Sequence, residues 1–128
     1  MNIKENYYYS KEHEWAFINN NKAKIGITDY AQNKLGDITF IEVITKGKNV
    51  KQFEALTTIE SVKSASDIYS PVSGVVASFN SQLETNPELI NQSCYEEGFI
   101  AELENINKDE IKNLMDHNAY KEYLQGLE

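Results

Sequence analysis

The sequence contains no arginine, a single cysteine and no long apolar run within its 128 residues. The one cysteine, Cys94, excludes an internal disulfide and a cysteine-rich metal site. All twelve basic residues are lysines, and twenty acidic residues bring the net charge to −8. This acidic excess argues against nucleic-acid binding, which needs clustered cations. No apolar run approaches the roughly 20 residues that cross a bilayer, so we expect no membrane partner either.

The length and composition predict one domain over residues 1–128, because a chain of this size can bury a core of its own. Hydrophobic residues make up 41% of the sequence, which argues against disorder throughout. The first ten residues, MNIKENYYYS, have neither the apolar centre of a secretion signal nor the pattern of a transit peptide. We therefore expect the bacterial cytoplasm, with the mitochondrial matrix as the alternative.

Alternating and β-branched segments predict a chain made mainly of short strands. We expect these strands over residues 14–19, 22–27, 37–44, 53–60, 75–79 and 99–103, with one more beginning at residue 68. Thr28 and Gly36 are typical of the two ends of a helix, so a short helix is predicted over 29–35. Asn86 followed by Pro87 marks the start of another helix.

The C-terminal segment, about 107–127, changes to helical spacing of its apolar residues, after a β core of about 7–104. Asn107 and Glu110 resemble a capping box at its start. The segment therefore predicts one or two amphipathic helices packed on the β core. They would cover a sheet edge or contact a partner, and the sequence leaves both possibilities open. The residues that carry this spacing are Ile111, Leu114, Met115, Tyr120, Tyr123, Leu124 and Leu127.

Lys63 stands alone among acids. Between residues 52 and 107 it is the only lysine beside nine acidic residues, so this window carries the whole net charge of −8. The acids form either a solubilising face or a surface that attracts basic partners. Small residues surround Lys63 in the run SVKSAS between two predicted strands, which would leave its stem accessible to a modifying enzyme. An ordinary solvated lysine is the alternative at this point.

Several motifs resemble the glycine cleavage system H protein family when taken together and in order. Residues 60–74, ESVKSASDIYSPVSG, resemble the lipoyl-attachment segment of that family. The similarity runs from about Tyr9 to Leu103. Further blocks that match are HEW at 13–15, GITDYAQ at 26–32, LGDI at 35–38, PELIN at 87–91 and the segment 95–99.

The resemblance implies a mainly β fold, a flattened antiparallel β barrel-sandwich of the lipoyl/biotinyl type. Short helices and the C-terminal amphipathic helices would lie outside it, with Lys63 at a hairpin tip. It further implies that lipoic acid is attached to Lys63 through an amide. A carrier of this kind is not an enzyme, so we expect no catalytic residue and no metal ligand. Biotin carriers are the nearest confusable class, but they present their lysine between methionines, whereas Val62 and Ser64 flank it here.

The partners implied by the resemblance are the other components of glycine cleavage. A pyridoxal-phosphate glycine decarboxylase (P protein) would load an aminomethyl group. A tetrahydrofolate-dependent aminomethyltransferase (T protein) would remove it, and dihydrolipoamide dehydrogenase (L protein) would reoxidise the arm. A lipoate ligase or lipoyl transferase would attach the lipoyl group. The alternative is a lipoyl donor, a relay protein that passes lipoate to 2-oxoacid dehydrogenase subunits.

The resemblance also implies contacts for the loaded arm, whose cargo is an amine. Glu14 and Asp67 are the expected acceptors of its ammonium, and Glu12 is a further acid where relatives often have a small polar residue. A solvated Glu14 beside a core Trp15 is the alternative. His13 lacks the partners that a metal site needs, and we expect Cys94 to be a buried or incidental thiol.

The chain departs from the family pattern just before the predicted strand that leads to the lysine. Relatives tend to have glycine near the start of that strand, whereas this chain has Gln52-Phe53-Glu54.

Overall fold

Two antiparallel sheets form the centre of the computed structural model, which describes residues 1–127. The larger sheet has the order β1 (Tyr8–Tyr9), β2 (Glu14–Asn19), β3 (Lys22–Ile27), β9 (Ala101–Glu104), β8 (Gly74–Phe79) and β5 (Asn49–Val50). The smaller sheet has the order β4 (Ile38–Ile41), β6 (Ala55–Ser61) and β7 (Ala65–Tyr69). The prediction of a mainly antiparallel β fold is confirmed.

The helices lie between and after the strands, and they are short. They are α1 (Asp29–Leu35), α2 (Gln82–Thr85), α3 (Leu89–Gln92), a 3₁₀ helix (Lys108–Asn113) and α4 (His117–Gly126). The Thr28 side chain caps α1 by accepting from the Ala31 N–H, as the sequence predicts. In the part of the chain described here, no helix is both long and apolar enough to cross a bilayer.

The expectation of a barrel needs correction, because the two sheets of residues 1–127 do not close onto each other. Strands β1 and β5 are the edges of the larger sheet, and β4 and β7 are the edges of the smaller one. Apolar side chains of both sheets instead meet in one buried cluster that includes Ile25 of β3, Ile59 of β6 and Leu103 of β9. Apolar packing, and not a continuous ladder of strands, therefore holds the layers together.

A second cluster connects the N-terminal strands to the C-terminal helix. Tyr9 and Tyr120 are fully buried and stack with their ring centroids 4.4 Å apart. The backbones of Tyr9 and Met115 exchange two hydrogen bonds of 2.8 Å. The C-terminal segment thus covers the β1 edge of the larger sheet, which is one of the two roles that the sequence left open.

The predicted capping box at the start of this segment is wrong in its second half. The Asn107 side chain accepts from the Asp109 N–H and caps a 3₁₀ helix, where an α-helix was expected. Glu110 does not turn back to Asn107. Its carboxylate accepts from the Ser73 N–H at 2.7 Å and from the Ser73 hydroxyl at 2.6 Å. The Glu110 carboxylate therefore binds Ser73, 37 residues away in the sequence, and not the backbone of Asn107. The amphipathic prediction holds for α4, which buries Tyr120 and Leu124.

Substitution by alanine should change the free energy of unfolding in opposite directions at Gly36 and at Gly126. Gly36 ends α1 at φ 78°, and a Cβ there would lie 3.2 Å from Lys63 Cε. We expect Gly36→Ala to lower the free energy of unfolding by about 1–2 kcal/mol. Gly126 lies in α4 with open space around it, so Gly126→Ala should raise that free energy by about 0.5 kcal/mol. Urea unfolding measures both, and equal effects would contradict the assigned conformation of Gly36.

Candidate functional site

The backbone around Lys63 is held firmly, whereas its side chain is exposed. Ser61 ends β6, and its hydroxyl accepts hydrogen bonds of 3.2 Å from the N–H groups of Lys63 and Ser64. The Ser61 N–H donates to the Ser64 carbonyl at 2.8 Å, and the Val62 N–H donates to the Asp37 carbonyl at 3.0 Å. The lysine therefore lies at the tip of a rigid β6–β7 hairpin, as the sequence predicts.

The Lys63 amine makes no hydrogen bond or ion pair with any residue between 1 and 127. Its methylene chain lies beside Gly36, since a Cβ on that glycine would be 3.2 Å from Lys63 Cε and 3.6 Å from Lys63 Cδ. The neighbouring Val62 side chain is 67% exposed, and Ser64 and Ala65 are exposed as well. An accessible, unpaired amine between small neighbours fits attachment of an acyl group.

Glu14 is the most deeply buried acid of the candidate site, with 1% of its surface exposed. Its carboxyl group is hydrogen-bonded to the Ser10 hydroxyl and accepts from the Tyr69 N–H at 3.1 Å. Burial raises the pKa of Glu14 to about 7, although these hydrogen bonds oppose the rise and the nearby Glu12 adds to it. The solvated alternative for Glu14 is therefore wrong.

A cleft of about 510 Å³ lies above this buried carboxyl group. We call it the Tyr69 cleft. Ser10 and Tyr69, the two partners of Glu14, both line it, so the carboxyl group lies directly behind the cleft wall. The complete lining consists of Tyr9, Ser10, Lys11, Glu12, Phe53, Tyr69, Asn113 and Met115.

The three predicted acids occupy different positions relative to the Tyr69 cleft. Glu12 is exposed and lines the cleft, whereas Glu14 lies behind the wall. Asp67 lies outside the lining on β7, exposed, and accepts from the Thr58 hydroxyl at 3.1 Å. Because side chains alternate along a strand, Asp67 shares the face of Ala65 and Tyr69. This face of β7 runs from the lysine hairpin to the cleft.

His13 and Cys94 do not line the Tyr69 cleft. His13 Nδ1 lies 2.9 Å from the Tyr120 hydroxyl, and desolvation lowers the pKa of its imidazole. Across residues 1–127, no group of three or more His, Cys, Asp or Glu side chains is arranged to hold a metal ion. Cys94 is buried, which raises the pKa of its thiol to about 12 and disfavours the reactive thiolate. The prediction of a buried thiol is confirmed.

A larger groove of about 790 Å³ lies elsewhere, on the outer side of the six-stranded sheet. Phe17, Lys24 and Glu102 contribute to its lining, and it shares no residue with the Tyr69 cleft. No residue of the Lys63 hairpin reaches it, so we do not connect this groove with the lysine.

Of the eight residues that line the Tyr69 cleft, only Glu12 was predicted from the sequence as part of a site. The seven others are Tyr9, Ser10, Lys11, Phe53, Tyr69, Asn113 and Met115. Asn113 and Met115 arrive from the C-terminal segment, and nothing local in the sequence connects them with Glu14. Phe53 did give a signal, because it stands in the short stretch that departs from the family pattern. Its backbone φ is 65°, in the left-handed region that favours glycine.

Comparison with known proteins gives one consistent result. The family model described as "Glycine cleavage H-protein" matches residues 7–127. The chain is 47% identical over 127 residues to the probable glycine cleavage system H protein of Thermococcus gammatolerans, covering 98% of this chain and 94% of that protein. It is 46% identical over 125 residues to the glycine cleavage system H protein of Coprothermobacter proteolyticus, covering 97% of this chain and 98% of the relative.

A solved structure agrees with these relatives. The crystal structure of a glycine cleavage system H protein from Mycobacterium marinum superimposes with a TM-score of 0.83 at 25% sequence identity. The match covers 97% of this chain and 98% of that one.

The raised pKa of Glu14 predicts a specific pH dependence of stability. The folded state retains the proton up to about pH 7, whereas an ordinary glutamate loses it near 4.5. The contribution of Glu14 to the free energy of unfolding is therefore complete below 4.5 and declines as the pH rises through about 7. Glu14→Gln, which can donate to Ser10 and accept from Tyr69, should lack this decline.

The measurement is urea unfolding of both proteins between pH 4.5 and 7.5. We expect the wild type to lose on the order of 3 kcal/mol relative to Glu14→Gln across this interval. Parallel pH curves for the two proteins would contradict the assignment of a raised pKa to Glu14.

Proposed function

The chain belongs to the glycine cleavage H-protein family, and we propose that it is the lipoyl-bearing carrier of a glycine cleavage system. It would carry the aminomethyl group of glycine from the P protein to the T protein, and the L protein would then reoxidise it. The observation that carries this proposal is Lys63, an exposed and unpaired amine at a rigid hairpin tip inside the ESVKSASD segment. The chain itself would act as a carrier and not as an enzyme.

Lipoic acid, joined to Lys63 through an amide, would supply the dithiolane that accepts and releases the aminomethyl group. The protein's part is to present this arm to one enzyme after another, which raises the local concentration of the cargo at each docked partner. Anchoring of the hairpin backbone by Ser61 and by Asp37 supports this role, because it fixes the root of a flexible arm. A lipoate ligase or lipoyl transferase would make the attachment.

The arm is similar in length to β7, the strand that leads from the lysine hairpin to the Tyr69 cleft. About eleven bonds separate the lysine Cα from the dithiolane ring, which gives a reach of about 14 Å. The four residue steps from Ala65 to Tyr69 on β7 cover about 13 Å. A modified Lys63 that turned from Gly36 to β7 would therefore extend along most of this strand, toward the Tyr69 cleft.

We propose that the Tyr69 cleft protects the loaded arm, with Glu12, Glu14 and Asp67 as acceptors for its ammonium. Asp67 lies on the way along β7, and Glu12 lines the cleft. Glu14 would interact from behind Ser10 and Tyr69 after losing its proton. An ammonium nearby favours the carboxylate form and so lowers the pKa of Glu14 from about 7. Protection should consequently strengthen as the pH rises through the lowered pKa toward about 7.

The attachment site can be tested by intact mass after incubation with lipoate, ATP and a lipoate ligase. We expect the wild type to gain one lipoyl group and Lys63→Ala to gain none. Lys48→Ala is the matched control, because Lys48 is another exposed lysine in a loop before a strand, and it should gain one group. Modification of Lys63→Ala to the wild-type extent would contradict the proposal.

The lipoylated protein then distinguishes the carrier from the relay. With glycine and the P protein, a carrier becomes loaded with the aminomethyl group, which intact mass detects. A lipoylated chain that the P protein cannot load, but that donates lipoate to 2-oxoacid dehydrogenase subunits, would contradict the carrier and establish the relay.

The protective role of Glu14 can be tested on the loaded carrier without its other partners. We expect Glu14→Gln to release its amine roughly tenfold faster than the wild type at pH 8, because glutamine lacks the negative charge that attracts the ammonium through the cleft wall. At pH 5 the two half-lives should converge, because Glu14 is then protonated even with the lowered pKa of the loaded carrier. Glu84→Gln, an exposed acid on α2, is the control and should match the wild type. Equal half-lives for the wild type and Glu14→Gln at pH 8 would contradict the role.

A further inference from the structure

Phe53 has a backbone conformation that does not suit its side chain. Among residues 1–127, five residues other than glycine have a positive φ, and three of these are asparagines, which tolerate the left-handed region. Phe53 has a φ of 65°. A bulky residue in this region is an outlier that costs free energy, whereas glycine adopts it readily.

The surrounding hydrogen bonds hold this conformation in place. The Phe53 N–H donates to the Ser70 carbonyl at 2.7 Å, and the Ser70 N–H donates to the Glu54 carbonyl at 2.9 Å. On the other side, the side-chain amide of Gln52 donates to the backbone carbonyls of Pro71 at 3.0 Å and Glu110 at 3.1 Å. The turn is thus fixed from both sides, and the strain of Phe53 is retained because its neighbours impose it.

The Phe53 side chain lines the Tyr69 cleft, and 49% of its surface is exposed. Burial in the core therefore does not account for an aromatic residue at this position. The lining combines apolar groups, Phe53 and Met115, with one acid, Glu12, and one exposed lysine, Lys11. The charges of Glu12 and Lys11 offset each other, and the carboxyl group of Glu14 behind the wall adds a further acid. Such a cleft suits a guest that has an apolar chain and a cationic end.

We propose that Phe53 is a positioning residue, whose ring forms the apolar wall of the Tyr69 cleft and keeps water from the ammonium-bearing end of the loaded arm. This inference rests on the proposed function, because it takes the arm as the occupant of the cleft. The ring contributes in two ways. It contacts the methylene chain of the arm, and an aromatic face attracts an ammonium group placed over it.

Three variants test the inference. Phe53→Gly removes both the ring and the strain, Phe53→Ala removes the ring but keeps a Cβ at positive φ, and Phe53→Tyr keeps the ring. Phe40→Ala is the matched control, because Phe40 lies on β4 outside the cleft with a similar exposure of 52%. Lipoylation of all four variants, checked by intact mass, shows that each presents a folded hairpin.

The first measurement is the half-life of the loaded carrier in the absence of partner enzymes. We expect Phe53→Gly and Phe53→Ala to shorten this half-life roughly 5- to 10-fold, because each removes about 50 Å² of apolar contact between the ring and the arm. Phe53→Tyr and Phe40→Ala should retain the wild-type half-life. Because Phe53 does not titrate, the factor by which its loss shortens the half-life should be the same at pH 5 and pH 8, in contrast to that of Glu14→Gln.

A second measurement does not depend on amine release. The Tyr69 amide signal in the NMR spectrum should shift when the wild-type carrier is loaded, and this shift should be largely lost in Phe53→Gly. The unfolding temperature of the unlipoylated protein should be higher for Phe53→Gly than for Phe53→Ala, because only glycine relieves the strain.

The outcomes separate this inference from the proposed function. A wild-type half-life and Tyr69 shift in Phe53→Gly, together with a shortened half-life in Glu14→Gln, would overturn the role of Phe53 and leave the protective cleft standing. If Phe53→Gly and Glu14→Gln both retained the wild-type half-life, protection by this cleft would be overturned, and the role of Phe53 would be overturned with it.

Discussion

One buried carboxyl group connects the two sheets at the point where the candidate site lies. Glu14 belongs to β2 of the larger sheet, and it accepts a hydrogen bond from the backbone of Tyr69 in β7 of the smaller sheet. Burying a carboxyl group among apolar residues is unfavourable unless it is hydrogen-bonded or protonated, and Ser10 and Tyr69 provide the partners. The same two residues line the Tyr69 cleft. The position of the cleft therefore depends on a hydrogen bond that adds to the apolar packing between the layers.

Strand β7 has two roles in this arrangement. It begins next to the hairpin that presents Lys63, and it ends at the residue that binds Glu14. One short strand therefore connects the hairpin that presents Lys63 with the Tyr69 cleft. The C-terminal segment completes the far wall through Asn113 and Met115, and Glu110 fastens that segment to Ser73. The segment thus covers a sheet edge and also shapes the cleft.

Local signals in the sequence predicted local structure well. The alternation in β2 and β3 and the caps Thr28 and Gly36 placed both strands and α1 at their observed bounds, because those signals lie next to the elements they define. The two-residue strands β1 and β5 were missed, since such short segments show no periodicity.

In the candidate site, too, the features set by local sequence were predictable and those set by distant residues were not. The exposed position of Lys63 follows from its small neighbours and the flanking strands. The burial of Glu14 depends on a backbone group 55 residues away, which no local pattern shows. The left-handed turn at Phe53 contains no glycine, so its only signal was the departure of Gln52-Phe53-Glu54 from the family pattern. The most direct test of this account is a ¹³C NMR titration of the Glu14 side-chain carboxyl group, first in the unlipoylated protein and then in the loaded carrier. The account predicts a pKa of about 7 in the unlipoylated protein and a clearly lower pKa once the ammonium is docked. An ordinary pKa near 4.5 in the unlipoylated protein, or one that loading leaves unchanged, would contradict it.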